Sequence, residues 1–423
     1  MRFEGILINK RQSPDIPITT RIATSLNVSS ADPVFIRVHV EDTVGESEKS
    51  MKRTVNRRSV LRGGLLAGGA ATLGVGLLGK GNRAYAQSTG GSPTKGDIAI
   101  LRFLAAAELI ESDLWVQYAE LGGIGNNLPV EVDPKPSLNN YQIALSNLDP
   151  DGPQYITSNT LDEQSHAAFL NAYLESKGAE PVSLEAFRTL PGSTATGSSN
   201  TLRITNLMQL NVDTSWFVRY RSKTNPDFNA SYAQAPTLRG VTAIPRNDSD
   251  FEGTPNVNFL GNDHIQAIAN VAAFHFGSIE QGGSSLYAAM SQKVSDPEVL
   301  QITLGIGGDE IAHFLEWVDF AGNGVQPMIA PFKDSKSGLA FPNFFQPLNP
   351  LIQPSLIFPV PAEFISPSLP LCATIRPLTD KFAGARAAAA GLTASGLFTG
   401  QTNEFFSTLQ ALADAADAAV RQI

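Results

Sequence analysis

Two short segments constrain this chain more than anything else in it: Glu163-Gln-Ser-His166 and Glu310-Ile-Ala-His313. Each lies in an apolar stretch with helical spacing, and each puts a carboxylate and an imidazole three residues apart. On an α-helix, residues i and i+3 project from one face. Two such helices meeting across a core, with one Glu from each of two more, carry the donors of a carboxylate-bridged pair of metal ions. The chain has five His (His39, His166, His264, His275 and His313), and two of them fall in this pattern. His264 and His275 match no position of it.

The surrounding sequence predicts an all-α fold. A first helix is expected over about 97–121, with Ile100, Leu104, Leu114 and Tyr118 at helical spacing and Gly122-Gly123 as its stop. Glu108 and Glu111 lie on or beside its inner stripe. Residues 124–155, dense in Pro, Asn and Asp, read as loop. A second helix is expected over about 158–177, ended by Gly178. A long crossover insertion, 189–261, follows, with helix expected in part of it (about 202–221) and the rest covering one end or side of the helices. A third helix starts near Asn262 or Asp263 and runs to about Val294, carrying Glu280 and Tyr287. A fourth opens at Ser295-Asp-Pro-Glu298, a capping-box pattern with Pro in the first turn, and stops at Gly322-Asn-Gly324. Glycines 277, 282, 283, 305, 307 and 308 inside these two helices suggest close helix approach or a π-bulge. From 325 the chain is Pro-rich. An extended wrap is expected there, then helix from about Thr379 and a final amphipathic helix over about 403–421, capping the helices or meeting a second subunit.

The N-terminal part reads as an address. Met51 opens a basic segment with a twin arginine, Arg57-Arg58. An apolar run from Gly63 to Gly79 follows, and Ala84-Tyr-Ala86 offers a small-x-small cleavage site. Residues 51–86 are therefore expected to be a twin-arginine export signal, placing the mature protein in the periplasm, the cell envelope or outside the cell, with no membrane insertion after cleavage. An uncleaved anchor is the alternative. Residues 1–50 are expected to lie upstream of the true start, and 87–96 to form a linker. Residues 1–86 hold 13 of the 31 Lys and Arg and 7 of the 40 Asp and Glu, leaving 18 basic against 33 acidic residues, about −15 formally. That balance argues against nucleic acid and anionic membranes as partners and favours cations. The single cysteine, Cys372, leaves no intrachain disulfide to stabilise an exported fold.

The order Glu, Glu-x-x-His, Glu, Glu-x-x-His resembles the ferritin-like superfamily. Asp162-Glu-Gln-Ser-His-Ala-Ala-Phe-Leu170 and Glu310-Ile-Ala-His-Phe-Leu315 are similar to its exported branch of desiccation-related proteins. The resemblance covers about 97–187 and 262–321. It implies a four-helix bundle over 97–324, with 325–423 as a C-terminal extension. It also implies two Fe or Mn ions, with Glu163 and Glu310 bridging, His166 and His313 binding one each, and Glu280 and Glu108 terminal, with Glu111 as the alternative to Glu108. Glu108 fits the family's register. Glu111 instead places Tyr118 seven residues on, matching Glu280 and Tyr287. Without metal, converging glutamates would repel one another and lose solvation. The implied activity is that of a ferroxidase or a peroxide-detoxifying enzyme acting on O2 or peroxide. The competing expectation is a structural stress or desiccation protein that uses the same helices without catalysis. The plainer readings of the motifs are a capping box from Thr160 to Glu163 and solvated Glu–His pairs. A homo-oligomer is compatible with the sequence, whereas the extra segments argue against a closed storage shell.

Overall fold

The computed structural model describes residues 92–124, 138–214, 216, 237–324, 329–341, 359–360, 366, 368–373 and 384–422. The chain divides into two units, Met1–Ala86 and Gln87–Ile423, and all described residues belong to the second. The expected upstream segment, export signal and start of the linker lie outside the described residues. Among those residues no helix is long and apolar enough to cross a membrane.

The described chain is mostly helical, as an all-α reading requires. The helices are α1 (Lys95–Gly122), α2 (Asn140–Leu148), α3 (Gly152–Ser176), α4 (Asp263–Ser291), α5 (Pro297–Asn323), α6 (Ala385–Ala394) and α7 (Asn403–Asp417). Between them come three two-stranded antiparallel pairs: β1 (Leu210–Asp213) with β2 (Thr237–Val241), β3 (Phe332–Lys333) with β4 (Ala340–Phe341), and β5 (Pro359–Val360) with β6 (Cys372–Ala373).

Local chemistry explains the helix starts. Thr94 caps α1 in a reciprocal box with Asp97, which leaves two fewer orphan donors at that end. Asn262 accepts from the Ile265 amide at the start of α4. At α5 the cap is Asp296, accepting from Glu298 and Val299, rather than the expected Ser295. Two expectations need correction in 124–155. Residues 140–148 form α2, capped by an Asn139–Gln142 box, and α3 begins at Gly152 with Pro153 in its first turn. Pro there costs nothing because its missing N–H would be an orphan anyway. Thr160 and Glu163 therefore sit well inside α3, which removes the capping-box reading of Glu163. In the insertion, the described part of 202–221 forms no long helix; Leu210–Asp213 is a strand, and the β1–β2 pair packs on α4. In the C-terminal part, α6 spans Ala385–Ala394, and Thr379, near which helix was expected to begin, lies outside the described residues. Helix α7 ends at Asp417 and packs along α1.

Four long helices surround the core. Helix α1 packs along α3, and α4 along α5. Helices α3 and α5 run antiparallel, because contacts pair Tyr173 with Glu298, His166 with Asp309 and Asn159 with Trp317. Trp115, Phe276 and Trp317 join the two pairs in one aromatic stack, with ring centroids 4.4–5.4 Å apart. Such ring pairs add about 0.5–1.5 kcal/mol each beyond their buried area.

The helix glycines divide into two kinds, and α4 and α5 run unbroken without a π-bulge. A Cβ at Gly307 would lie 2.7 Å from the Tyr287 Cβ, whereas one at Gly305 meets nothing within 4 Å. Gly307 thus sets the approach of α4 to α5, and Gly305 only weakens its own helix. Ala in place of Gly gains about 1 kcal/mol in a helix interior, while overpacking costs about 1–3 kcal/mol. The two substitutions are therefore expected to differ in sign: Gly305→Ala raises the urea midpoint and Gly307→Ala lowers it. Equal shifts would remove the packing role assigned to Gly307.

Candidate metal centre

Helical register brings six of the sequence-predicted residues together. Glu108 comes from α1, Glu163 and His166 from α3, Glu280 from α4, and Glu310 and His313 from α5. All four glutamates are fully buried, and the two imidazoles nearly so. Two donor groups result, each with its atoms within 4.8 Å of one another: Glu108, Glu163, His166 and Glu310 in one, and Glu163, Glu280 and His313 in the other. Glu163 belongs to both. Its Oε2 lies 3.4 Å from the His166 Nδ1, and its Oε1 lies 3.1 Å from the His313 Nδ1. Glu111 is buried nearby and joins neither group. The tyrosine argument for Glu111 also lapses, because Tyr118 pairs its hydroxyl with the His275 Nδ1 at 2.7 Å.

The outer atoms of these residues are held and the inner ones are not. Tyr287 donates to the Glu108 Oε1. The Trp115 Nε1 donates to the Glu280 Oε1 at 3.1 Å. The pattern is crossed, since Trp115 lies seven residues after Glu108 and Tyr287 seven after Glu280. The remaining oxygens, Glu108 Oε2, Glu163 Oε1, Glu280 Oε2 and both of Glu310, accept no hydrogen bond, and neither does the His313 Nδ1 make one. Buried polar atoms are normally satisfied, so this cluster of unsatisfied acceptors is chemically incomplete. The donor set of carboxylate oxygens and imidazole nitrogens fits divalent iron or manganese.

A second crossed pair lies outside the imidazoles. The His166 Nε2 is 3.1 Å from the Asp309 Oδ2, and the His313 Nε2 is 3.3 Å from the Asp162 Oδ2. Each Asp orients the ring on the opposite helix and leaves Nδ1 facing the glutamates, an arrangement that fixes tautomer and orientation in metal sites. Asp162 and Asp309 have no place in the Glu-x-x-His pattern, yet each immediately precedes its Glu, so the repeat is Asp-Glu-x-x-His in both helices. Only tertiary contact shows the Trp115 and Tyr287 donors reaching the glutamates.

The electrostatics follow from crowding. Burial pushes the Glu163 carboxyl up to about 8, with His166 and His313 pulling it down and Glu108 and Glu280 pushing it up. Burial and then Glu163 hold both Glu310 and Glu111 well above the ordinary carboxylate range. Burial disfavours the His166 cation, but Asp309, Glu108 and Glu163 outweigh it and raise the ring to about 12. His313 is raised likewise, with burial opposed by Glu280, Asp162 and Glu163. Protons on the imidazoles and on some of the acids thus partly neutralise the cluster, and divalent cations could replace them.

Compared with known proteins, the chain matches no family model, no curated protein and no solved structure.

Proposed function

We propose that this chain is a ferritin-like dimetal-carboxylate protein, with α1, α3, α4 and α5 as its four-helix bundle. It is read as an exported, redox-active protein that binds two Fe or Mn ions and reacts with O2 or peroxide. The observation that carries this reading is Glu163, a fully buried carboxylate with one oxygen turned to each imidazole-containing group.

Glu108, Glu163, His166 and Glu310 would hold one ion, and Glu163, Glu280 and His313 the other. Iron bound there would supply one-electron redox chemistry toward O2 or peroxide at a site closed to bulk water. The chain's own residues do the rest. Asp309 and Asp162 keep the imidazoles aimed inward, so each ring presents Nδ1 without a search over rotamers. Tyr287 and Trp115 hold one oxygen each of Glu108 and Glu280, leaving one oxygen per carboxylate for an ion. The apolar shell of Trp115, Phe276 and Trp317 keeps water from the far side.

The test is metal content per chain in protein purified without chelator, beside Glu163→Ala/His166→Ala. About two Fe or Mn per chain, lost in the variant, is the expected result. Absence of metal even after anaerobic Fe(II) addition would defeat the reading and favour the structural stress protein.

A further inference from the structure

His313 faces two different sets of carboxylates with its two ring nitrogens. Its Nδ1 is turned to Glu163 and Glu280, at 3.1 and 3.4 Å. Its Nε2 is turned to Asp162 and Asp309, at 3.3 and 3.8 Å. The inner carboxylates are wholly buried, whereas the Asp162 and Asp309 side chains are 47% and 44% exposed. The His313 side chain, at 5%, lies between them. Asp162, Asp309 and His313 are themselves a donor group, with ligand atoms within 4.8 Å of one another. On the α3–α5 side, a second and more exposed constellation thus lies outside the buried glutamates and shares one imidazole with the inner one.

We propose that Asp162, Asp309 and the Nε2 of His313 form a capture site for divalent cations at the mouth of the glutamate cluster, from which an ion passes inward to Glu163 and Glu280. This rests on the dimetal reading for its destination, but not for the capture site itself. Neutral imidazole carries one proton and one lone pair, so His313 can serve the outer or the inner set at one time. With the lone pair on Nε2, the outer set is complete: two carboxylates and a nitrogen. With an ion held on Nδ1, the proton resides on Nε2 and donates to Asp162, and the outer set loses its nitrogen. The mouth and the inner group therefore compete for the one imidazole they share, and an ion leaves the mouth as the inner group takes His313. The acidic chain adds long-range attraction, and exposed carboxylates concentrate it at the mouth.

The test uses Co(II) as the probe, read by its visible absorption in stopped flow with the full exported chain. The Asp162→Asn/Asp309→Asn variant keeps an oxygen to accept from each Nε2–H, so ring orientation is preserved while charge is lost. It is expected to fill the same number of Co(II) per chain as the parent, at a rate lower by about tenfold and with weaker dependence on salt. An unchanged rate would overturn the proposal. So would an unchanged rate with reduced final stoichiometry, which would leave the aspartates as orienting groups alone. A second variant, with Glu108, Glu163, Glu280 and Glu310 all changed to Gln, isolates the mouth. It is expected to retain one Co(II) per chain, lost when Asp162→Asn/Asp309→Asn is added, and no retained ion would overturn the proposal. Failure of the parent to bind Co(II) at its inner donors would defeat the dimetal reading instead, and the four-Gln variant would still report on the mouth.

Discussion

Adding Fe(II) or Mn(II) anaerobically to the metal-free protein is expected to raise its free energy of unfolding by about 4 kcal/mol for each ion bound, at a free metal concentration 1,000 times the dissociation constant. The gain arises because the folded chain gathers four buried glutamates and two imidazoles that the unfolded chain disperses. Glu163→Gln removes most of it, since Glu163 is the one carboxylate common to both donor groups. The same substitution relieves like-charge crowding, as Glu108 and Glu280 both raise the Glu163 carboxyl. The metal-free variant is therefore expected to unfold at no lower urea concentration than the metal-free parent. The pair of urea melts, with and without metal, separates the two effects. Equal metal-dependent shifts in parent and variant would show that the stabilising ions bind elsewhere.

His264→Ala costs about 3 kcal/mol of stability, within the range for removing one partner from a buried ionic group. His264 stands at the start of α4, with its Nδ1 2.8 Å from Asp334 and its Nε2 3.1 Å from Asp250. Arg246 and Lys336 also face Asp250, at 2.8 and 3.8 Å. The imidazolium thereby joins three segments distant in sequence: the turn at Asp248–Phe251, helix α4 and the β3–β4 hairpin. Its loss leaves Asp334 without its ring partner, although Ser337 and the Lys336 and Ser337 amides still hold it.

The pH dependence has a definite sign. Burial opposes the charged ring, but Asp250 and Asp334 outweigh it and raise the His264 pKa. Its contribution is full below the unfolded value of about 6.5 and is lost as pH rises through the higher folded value. Asp250 and Asp334 go the other way: burial is outweighed by Arg246 and His264 at Asp250, and by Ser337 and His264 at Asp334, and both lie below their ordinary value. Their contribution is full above about 3.9 and is lost as pH falls through the depressed folded values. The cost of His264→Ala is thus greatest between about pH 4 and 6.5 and shrinks on the alkaline side once the parent ring deprotonates. A cost that grows with rising pH would contradict the ion-pair assignment. No role for His264 is legible in the sequence, because Asp250 and Asp334 reach it only through tertiary folding.

Helix α2 and the early start of α3 escaped the sequence for different reasons. Asn139-x-x-Gln142 is a capping box, and Tyr141, Ala144, Leu145 and Leu148 have helical spacing, but nine residues between Pro- and Asp-rich stretches carry little periodic signal. At Gly152-Pro153 the composition of a turn coincides with that of a helix N-terminus. Strand β1 falls where Leu202–Arg221 looked helical, since strand pairing depends on a partner, β2, about 25 residues away.

Periodicity alone specifies the long helices and the faces they present. A period of 3.6 residues places Glu163 beside His166 and Glu310 beside His313 whatever surrounds them, and the start of α4 near Asn262 is legible in the same way, whereas the caps at Thr94 and Asp296 emerge only in the folded chain. How those faces meet is a matter of tertiary packing. The grouping of Glu108, but not Glu111, with the other donors, the crossed aspartates on the imidazoles, and the Trp115 and Tyr287 donors on the glutamates all depend on the rotation and axial offset of one helix against another. Those two quantities are set by side-chain packing, by close approaches such as Gly307 on Tyr287, and by segments such as the β1–β2 pair and α7 pressed on the outside. No local period contains them.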